Sequence, residues 1–126
     1  MAEPAGPILV VDDDDATRAL VGSLLESARF RVAEAKTGES ALELARGARP
    51  QLALVDVFLP GLSGYELCHR LKTEFGVPVL LVSRPSRESL DSIAGMLLGA
   101  DACVAKPFAP DDLLERVQRL LVADAA

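Results

Sequence analysis

ILVVDDDD, residues 8–15, runs four apolar residues straight into four carboxylates. A stretch that is apolar at every position, this short, and cut off by charge reads as a strand covered on both faces. Behind it, Ala16, Leu20, Val21, Leu24, Leu25 and Ala28 recur at helical spacing. Strand then helix is the couplet that the rest of the chain repeats.

Residues 30–35 predict a second strand, weakened by Arg31 and Glu34. Ala41, Leu42, Leu44 and Ala45 predict a short helix, ended by Gly47 and Pro50. Residues 52–55 form the third apolar run, followed by the turn residues Leu59-Pro60-Gly61. Ser63 and Glu66 have capping-box spacing, Leu62 and Leu67 suit a hydrophobic staple, and a helix should run to about Thr73. The fourth strand covers residues 77–82, or starts at Val79 if Pro78 is kept out of the ladder. A helix with Gly95 inside it is expected over 86–98, and a short fifth strand over 103–105. The last helix opens on Pro110, carries Asp111 and Asp112 in its first turn, and lines up Leu113, Leu114, Val117, Leu120 and Leu121.

Five strands and five helices in strict alternation predict a doubly wound α/β fold: a parallel sheet with helices on both faces and right-handed crossovers. Ligands of such sheets bind beyond the carboxyl ends of the strands. Residues 8–123 are expected to form one domain, after a flexible leader over 1–7 and before a short tail over 124–126.

Composition narrows the chemistry. Thirteen basic against nineteen acidic residues give a net charge of −6, which argues against direct nucleic-acid binding by this domain. With His69 the only histidine and Cys68 and Cys103 the only cysteines, a His-rich metal site, a CxxC pair and a disulfide framework are excluded. No signal peptide or membrane-spanning run is visible, and the expected location is the cytoplasm.

The strand ends carry the polar residues. The first closes on Asp12 to Asp15, the third on Asp56, the fourth on Ser83 and the fifth on Lys106-Pro107. If the first and third strands are neighbours, their carboxylates converge and need a cation. A hard ion with oxygen ligands is the natural candidate, and Mg²⁺ fits. Lys106 and Ser83 then resemble the other half of a phosphate site. Asp14 is expected at the helix start and Asp15 as its cap.

These residues carry a resemblance. From Ile8 to Leu121 the sequence resembles the receiver domain of bacterial two-component response regulators, through ILVVDDDDATR, LALVDVFLPGLSG, LLVS and GADACVAKPF in order. The resemblance implies a flavodoxin-like sheet of order 2-1-3-4-5. It implies Asp56 as phosphoacceptor, and Asp12, Asp13, Asp56 and the Phe58 carbonyl around Mg²⁺. Ser83 would bind a phosphoryl oxygen, Lys106 would pair with Asp56 and then with the phosphoryl group, and the Lys106-Pro107 bond would be cis.

Such a domain accepts its phosphoryl group from a sensor histidine kinase or histidine phosphotransfer protein, and loses it by self-catalysed hydrolysis. It is a self-modifying signalling domain rather than a turnover enzyme. The kinase or phosphotransfer protein would dock near the first helix. An effector domain or protein, or a second copy, would read the face made by the 86–98 helix, the fifth strand and the last helix. The alternative is a receiver-fold interaction module that signals without phosphorylation. A flavin-binding relative of the same sheet order is disfavoured, because four Asp after the first strand would repel the flavin phosphate. Two positions depart from the family pattern: Cys103 stands where an aromatic is usual, and Arg84 where Ala or Gly is usual.

Overall fold

Each apolar run becomes a strand with both faces covered. The computed structural model describes residues 6–83, 96 and 99–125. In chain order the elements are β1 (Ile8–Val11), α1 (Asp15–Ser27), β2 (Val32–Ala35), α2 (Gly38–Gly47), β3 (Leu52–Asp56), α3 (Gly64–Arg70), β4 (Val79–Ser83), β5 (Ala102–Ala105) and α4 (Pro110–Ala125). The helix expected over 86–98, apart from Met96, and Arg84 lie outside the described residues.

The five strands are all parallel, in the order β2-β1-β3-β4-β5. Val11 pairs with both Ala35 and Val55, so β1 is an interior strand flanked by β2 and β3, and its end lies beside the end of β3.

Side chains alternate across the sheet. Leu9 and Val11 join one hydrophobic core with Ala41, Leu42, Leu67, Cys68 and Leu71 of the α2–α3 side. Ile8 and Val10 join another with Val21, Leu25, Leu113 and Val117 from α1 and α4. Two cores on opposite faces are why β1, β3 and β4 show no polar alternation. β2 lies at the edge and is less buried, with Glu34 exposed on it.

The helix starts follow side-chain capping. Asp14 caps α1, its carboxylate accepting from the Thr17 N–H at 3.0 Å. Asp15 is therefore the first helical residue, correcting the expected order: the backbone at Asp14 is extended, the conformation of a cap, so its carboxylate and not that of Asp15 takes the free N–H. Thr37 caps α2 through the Ser40 N–H, and Ser63 caps α3 through the Glu66 N–H.

Several boundaries differ from the sequence-based expectation. α1 ends through Arg29, whose φ of 72° takes the left-handed position usually given to glycine. β2 starts at Val32, two residues later than expected, because this turn occupies the intervening chain. α3 continues into a π-helical turn, Leu71–Phe75, closed by left-handed Gly76. Arg49 reaches this end from the α2–β3 connection, donating to the Phe75 and Gly76 carbonyls at 2.7 and 2.8 Å. β4 does start at Val79, and the Asp101 carboxylate satisfies the Val79 N–H at 2.8 Å.

Candidate phosphoryl and metal site

Beyond Val11 the ladder ends and the chain turns into α1, leaving Asp12 and Asp13 at the carboxyl edge of the sheet. Asp56 is the last residue of β3. One carboxylate oxygen from each of Asp12, Asp13 and Asp56 lies within 4.8 Å of the others. Asp12 and Asp56 are buried, while Asp13 is exposed.

Lys106, directly after β5, spans the pair. Its ammonium donates to Asp12 Oδ2 at 2.9 Å and to Asp56 Oδ2 at 2.8 Å. The other oxygen of each acid is held by main chain: Asp14 N–H on Asp12 Oδ1 at 2.9 Å, and Phe58 N–H on Asp56 Oδ1 at 2.8 Å. Both acids are thus fixed in orientation before any ligand arrives.

Burial raises the pKa of Asp12, and the Asp56 charge adds to that, against the lowering effect of the Asp14 N–H and Lys106. For Lys106, burial acts to lower the pKa, but its hydrogen bonds to Asp56 and Asp12 outweigh burial and raise it. The lysine is therefore the settled cation of the cluster.

Ser83 closes β4 and is buried, with its hydroxyl donating to the Val104 carbonyl at 3.3 Å. Its main-chain carbonyl accepts from the Lys106 N–H at 3.1 Å, tying the ends of β4 and β5 together. Phe58 presents an exposed ring beside the site while its N–H anchors Asp56. The Lys106-Pro107 peptide bond is cis. Of the acids at the strand ends, Asp12, Asp13 and Asp56 are brought together, Asp12 and Asp56 on Lys106, while Asp14 and Asp15 serve the start of α1, and Ser83 lies at the adjoining strand end.

Two contributors escaped sequence reasoning. Gly64, the first residue of α3, packs on the main chain of Asp56 and Val57. A glycine directly after a capping serine was its available signal. Arg18 donates to the Asp12 carbonyl at 2.9 Å. A basic residue three positions after Asp15 reads as an ordinary helix-surface pair, so nothing in the pattern marks it.

Across residues 8–118 the chain matches the family model of the response regulator receiver domain. The chain belongs to that family. This receiver domain is 41% identical over 114 residues to the transcriptional regulatory protein CseB of Streptomyces coelicolor, covering 90% of this chain and 48% of CseB. Among solved structures it is similar to a CheY-like response regulator receiver domain protein from Methanospirillum hungatei, with a TM-score of 0.88, 30% identity, and coverage of 95% of this chain and 96% of that one. It is also similar to the BeF3-activated DrrB receiver domain, with a TM-score of 0.83, 35% identity, and coverage of 94% and 98%. The receiver domain spans about half the length of the curated relatives it matches. Among the described residues, no helix is long and apolar enough to cross a membrane.

Proposed function

We propose that Asp56 accepts a phosphoryl group from a histidine kinase or histidine phosphotransfer protein, with Mg²⁺ held by Asp12, Asp13, Asp56 and the Phe58 carbonyl. The observation that carries this reading is the cluster itself: three acids with oxygens within 4.8 Å, two of them spanned by one lysine. The donor set is all oxygen and carries no Cys or His, which suits a hard divalent ion. When bound, that ion offsets negative charge spreading over the transferring oxygens.

The chain's own groups account for the rest. A carboxylate oxygen of Asp56 attacks the phosphorus of a phosphohistidine. The O–P bond forms, the P–N bond breaks, and its electron pair leaves with the imidazole nitrogen. The Phe58 N–H holds Oδ1 and so sets the attack direction of the carboxylate. Lys106 holds Asp56 Oδ2 at 2.8 Å, and after transfer its ammonium is free to pair with a phosphoryl oxygen. The Ser83 hydroxyl would exchange the Val104 carbonyl for another phosphoryl oxygen. Water attack on the acyl phosphate returns Asp56 and inorganic phosphate, which makes the domain self-resetting. An effector domain or protein, or a second copy of the chain, reads the phosphorylated state. The activated state named for the DrrB receiver, carrying a beryllium fluoride, supports a phosphoryl-responsive site in this relative too.

The test is intact-mass measurement after incubation with acetyl phosphate. A gain of one phosphoryl group is expected with Mg²⁺, and none with a chelator or in Asp56→Asn. Equal labelling of Asp56→Asn would overturn the assignment. A wild type refractory to both small donors and a cognate kinase would favour a phosphorylation-independent interaction module.

A further inference from the structure

Asp12 sits where the sheet ends and the helix has not begun, so its carbonyl has no ladder partner beyond Val11. Arg18, in the first turn of α1, reaches back to it. Nη1 donates to the Asp12 carbonyl at 2.9 Å, Nη2 to Asp15 Oδ1 at 2.6 Å, and Nε lies 3.2 Å from Glu34 Oε1 on β2. All three guanidinium nitrogens are used, each on a different element, and the arginine side chain is only 14% exposed. Asp15 also draws Lys36, at 3.4 Å, so the acid partner is itself held from β2's far end.

The bond to the carbonyl matters because of which peptide it belongs to. The Asp12 C=O and the Asp13 N–H share one rigid plane. The Asp12 N–H is already fixed on the other side by the Ala35 carbonyl at 3.2 Å. With both flanking peptides pinned, the direction in which Asp13 leaves Asp12 is set. Asp13 is exposed, and among the described residues its carboxylate lacks the anchors that Lys106 and the main-chain N–H groups give Asp12 and Asp56.

We infer that Arg18 is a positioning residue for the divalent-ion site: by fixing the peptide plane between Asp12 and Asp13, it presents the Asp13 carboxylate to the ion. This rests on the reading of Asp12, Asp13 and Asp56 as ligands. Arg18 makes no contact with the ion in this scheme; it acts through the main chain. Only a rigid fork serves three partners in three directions, so lysine, a single point charge on a flexible stem, is not equivalent.

Two physical effects of removing Arg18 have opposite signs, which makes the inference testable. Electrostatics alone predicts that losing a cation near three acids tightens Mg²⁺ binding. Loss of positioning predicts weaker binding, because the third ligand must be ordered at the moment of binding.

The experiment is a Mg²⁺ titration of the full chain followed by amide NMR shifts, for wild type, Arg18→Met, Arg18→Lys and Asp13→Asn. Affinity should fall about tenfold in both arginine variants, the low end for groups that hold a metal ligand from behind. The Mg²⁺ concentration giving half the maximal rate with acetyl phosphate should rise in step, while the rate at saturating Mg²⁺ is retained. A mere folding defect would instead lower that plateau without moving the half-saturation point. Arg18→Lys keeps the charge, so it reports on geometry even if Arg18→Met folds poorly. Wild-type or tighter affinity in either arginine variant overturns the inference. Wild-type shifts that avoid residues 12, 13 and 56, or that survive Asp13→Asn unchanged, overturn the ligand reading itself and this inference with it.

Discussion

Gly64 lies so close to Asp56 that a β-carbon at position 64 would stand 2.1 Å from the Asp56 carbonyl oxygen and 2.5 Å from the Val57 Cα. Real carbon–oxygen contacts do not approach this, and the obstacle is backbone, which cannot swing aside. The Gly64 N–H also donates to the Val57 carbonyl at 3.2 Å. The start of α3 is therefore pressed against the main chain that presents Asp56. Helix propensity alone favours Gly64→Ala by up to about 1 kcal/mol. The contact predicts the opposite sign, a loss of about 2–3 kcal/mol in urea denaturation, in the upper range for overpacking. It also predicts slower phosphorylation, since the turn after β3 must move. A stabilised variant would refute the contact's importance.

Asp13 and Lys106 should separate metal binding from chemistry. Asp13→Ala removes a proposed ligand and is expected to weaken Mg²⁺ binding. Lys106→Ala removes a cation that competes for the same carboxylates, so Mg²⁺ affinity should hold or rise while phosphorylation slows. Without Mg²⁺, Lys106→Ala should lose about 2 kcal/mol of stability, below the value for a fully buried pair because the lysine side chain is 28% exposed. Calorimetric titration and urea denaturation, with and without Mg²⁺, check each part. Equal losses of affinity in the two variants would contradict the division of roles.

Cys68 gives a pH dependence that can be isolated. Burial, reinforced by the Asp101 charge, pushes its thiol from 9.0 up to about 11. The folded state therefore keeps the proton that the unfolded chain releases. Its contribution is complete below about pH 9 and is lost as pH rises toward 11, a fall of about 2–3 kcal/mol. Other groups titrate in that window, so the measurement is a difference. Cys68→Ala should show a flatter decline of stability between those values than wild type. The same burial predicts that a thiol reagent labels Cys68 only as fast as the protein opens.

Arg29 offers a stabilising change. Its φ of 72° places an L-residue in the left-handed region at an exposed position. That conformation costs about 1–2 kcal/mol, and glycine avoids it at an unfolded-state entropy cost of about 0.4–1 kcal/mol. Arg29→Gly should thus gain about 0.5–1 kcal/mol, read as a higher denaturation midpoint at constant slope. A lower midpoint would show that the arginine side chain makes a compensating interaction.

Most of the fold and the centre of the site were legible because they depend on short-range pattern. The runs 8–11, 52–55 and 79–82 announce doubly covered strands, and the polar residue ending each run announces the crevice. Parallel topology sends all strand ends to one edge, which nominated Asp12 to Asp15, Asp56, Ser83 and Lys106, and the family resemblance narrowed the first run to Asp12 and Asp13. What stayed hidden depends on distance and direction. Nothing local distinguishes Arg18 from a surface arginine until its carbonyl partner is in place. The π-helical turn of 71–75 ends on carbonyls that Arg49, remote in sequence, binds, a partnership no local pattern announces. Asp14 and Asp15 are both competent caps, and only the backbone at Asp14, φ −84° and ψ 112°, decides between them. The Cys103 departure is visible in sequence, and in the structure Cys103 is half-buried with its carbonyl accepting from Arg116 at 3.2 Å.

The sheet, covered on both sides, works as a party wall. Among the described residues, the two hydrophobic cores have no side chain in common: neighbours such as Leu9 and Val10 belong to different compartments. Each compartment can thus be repacked by mutation without renegotiating the other. The residues at the carboxyl rim have no such freedom. Asp12, Asp56 and Lys106 stand where the wall ends, answer to both compartments at once, and are the natural place for a change on one side to be felt on the other.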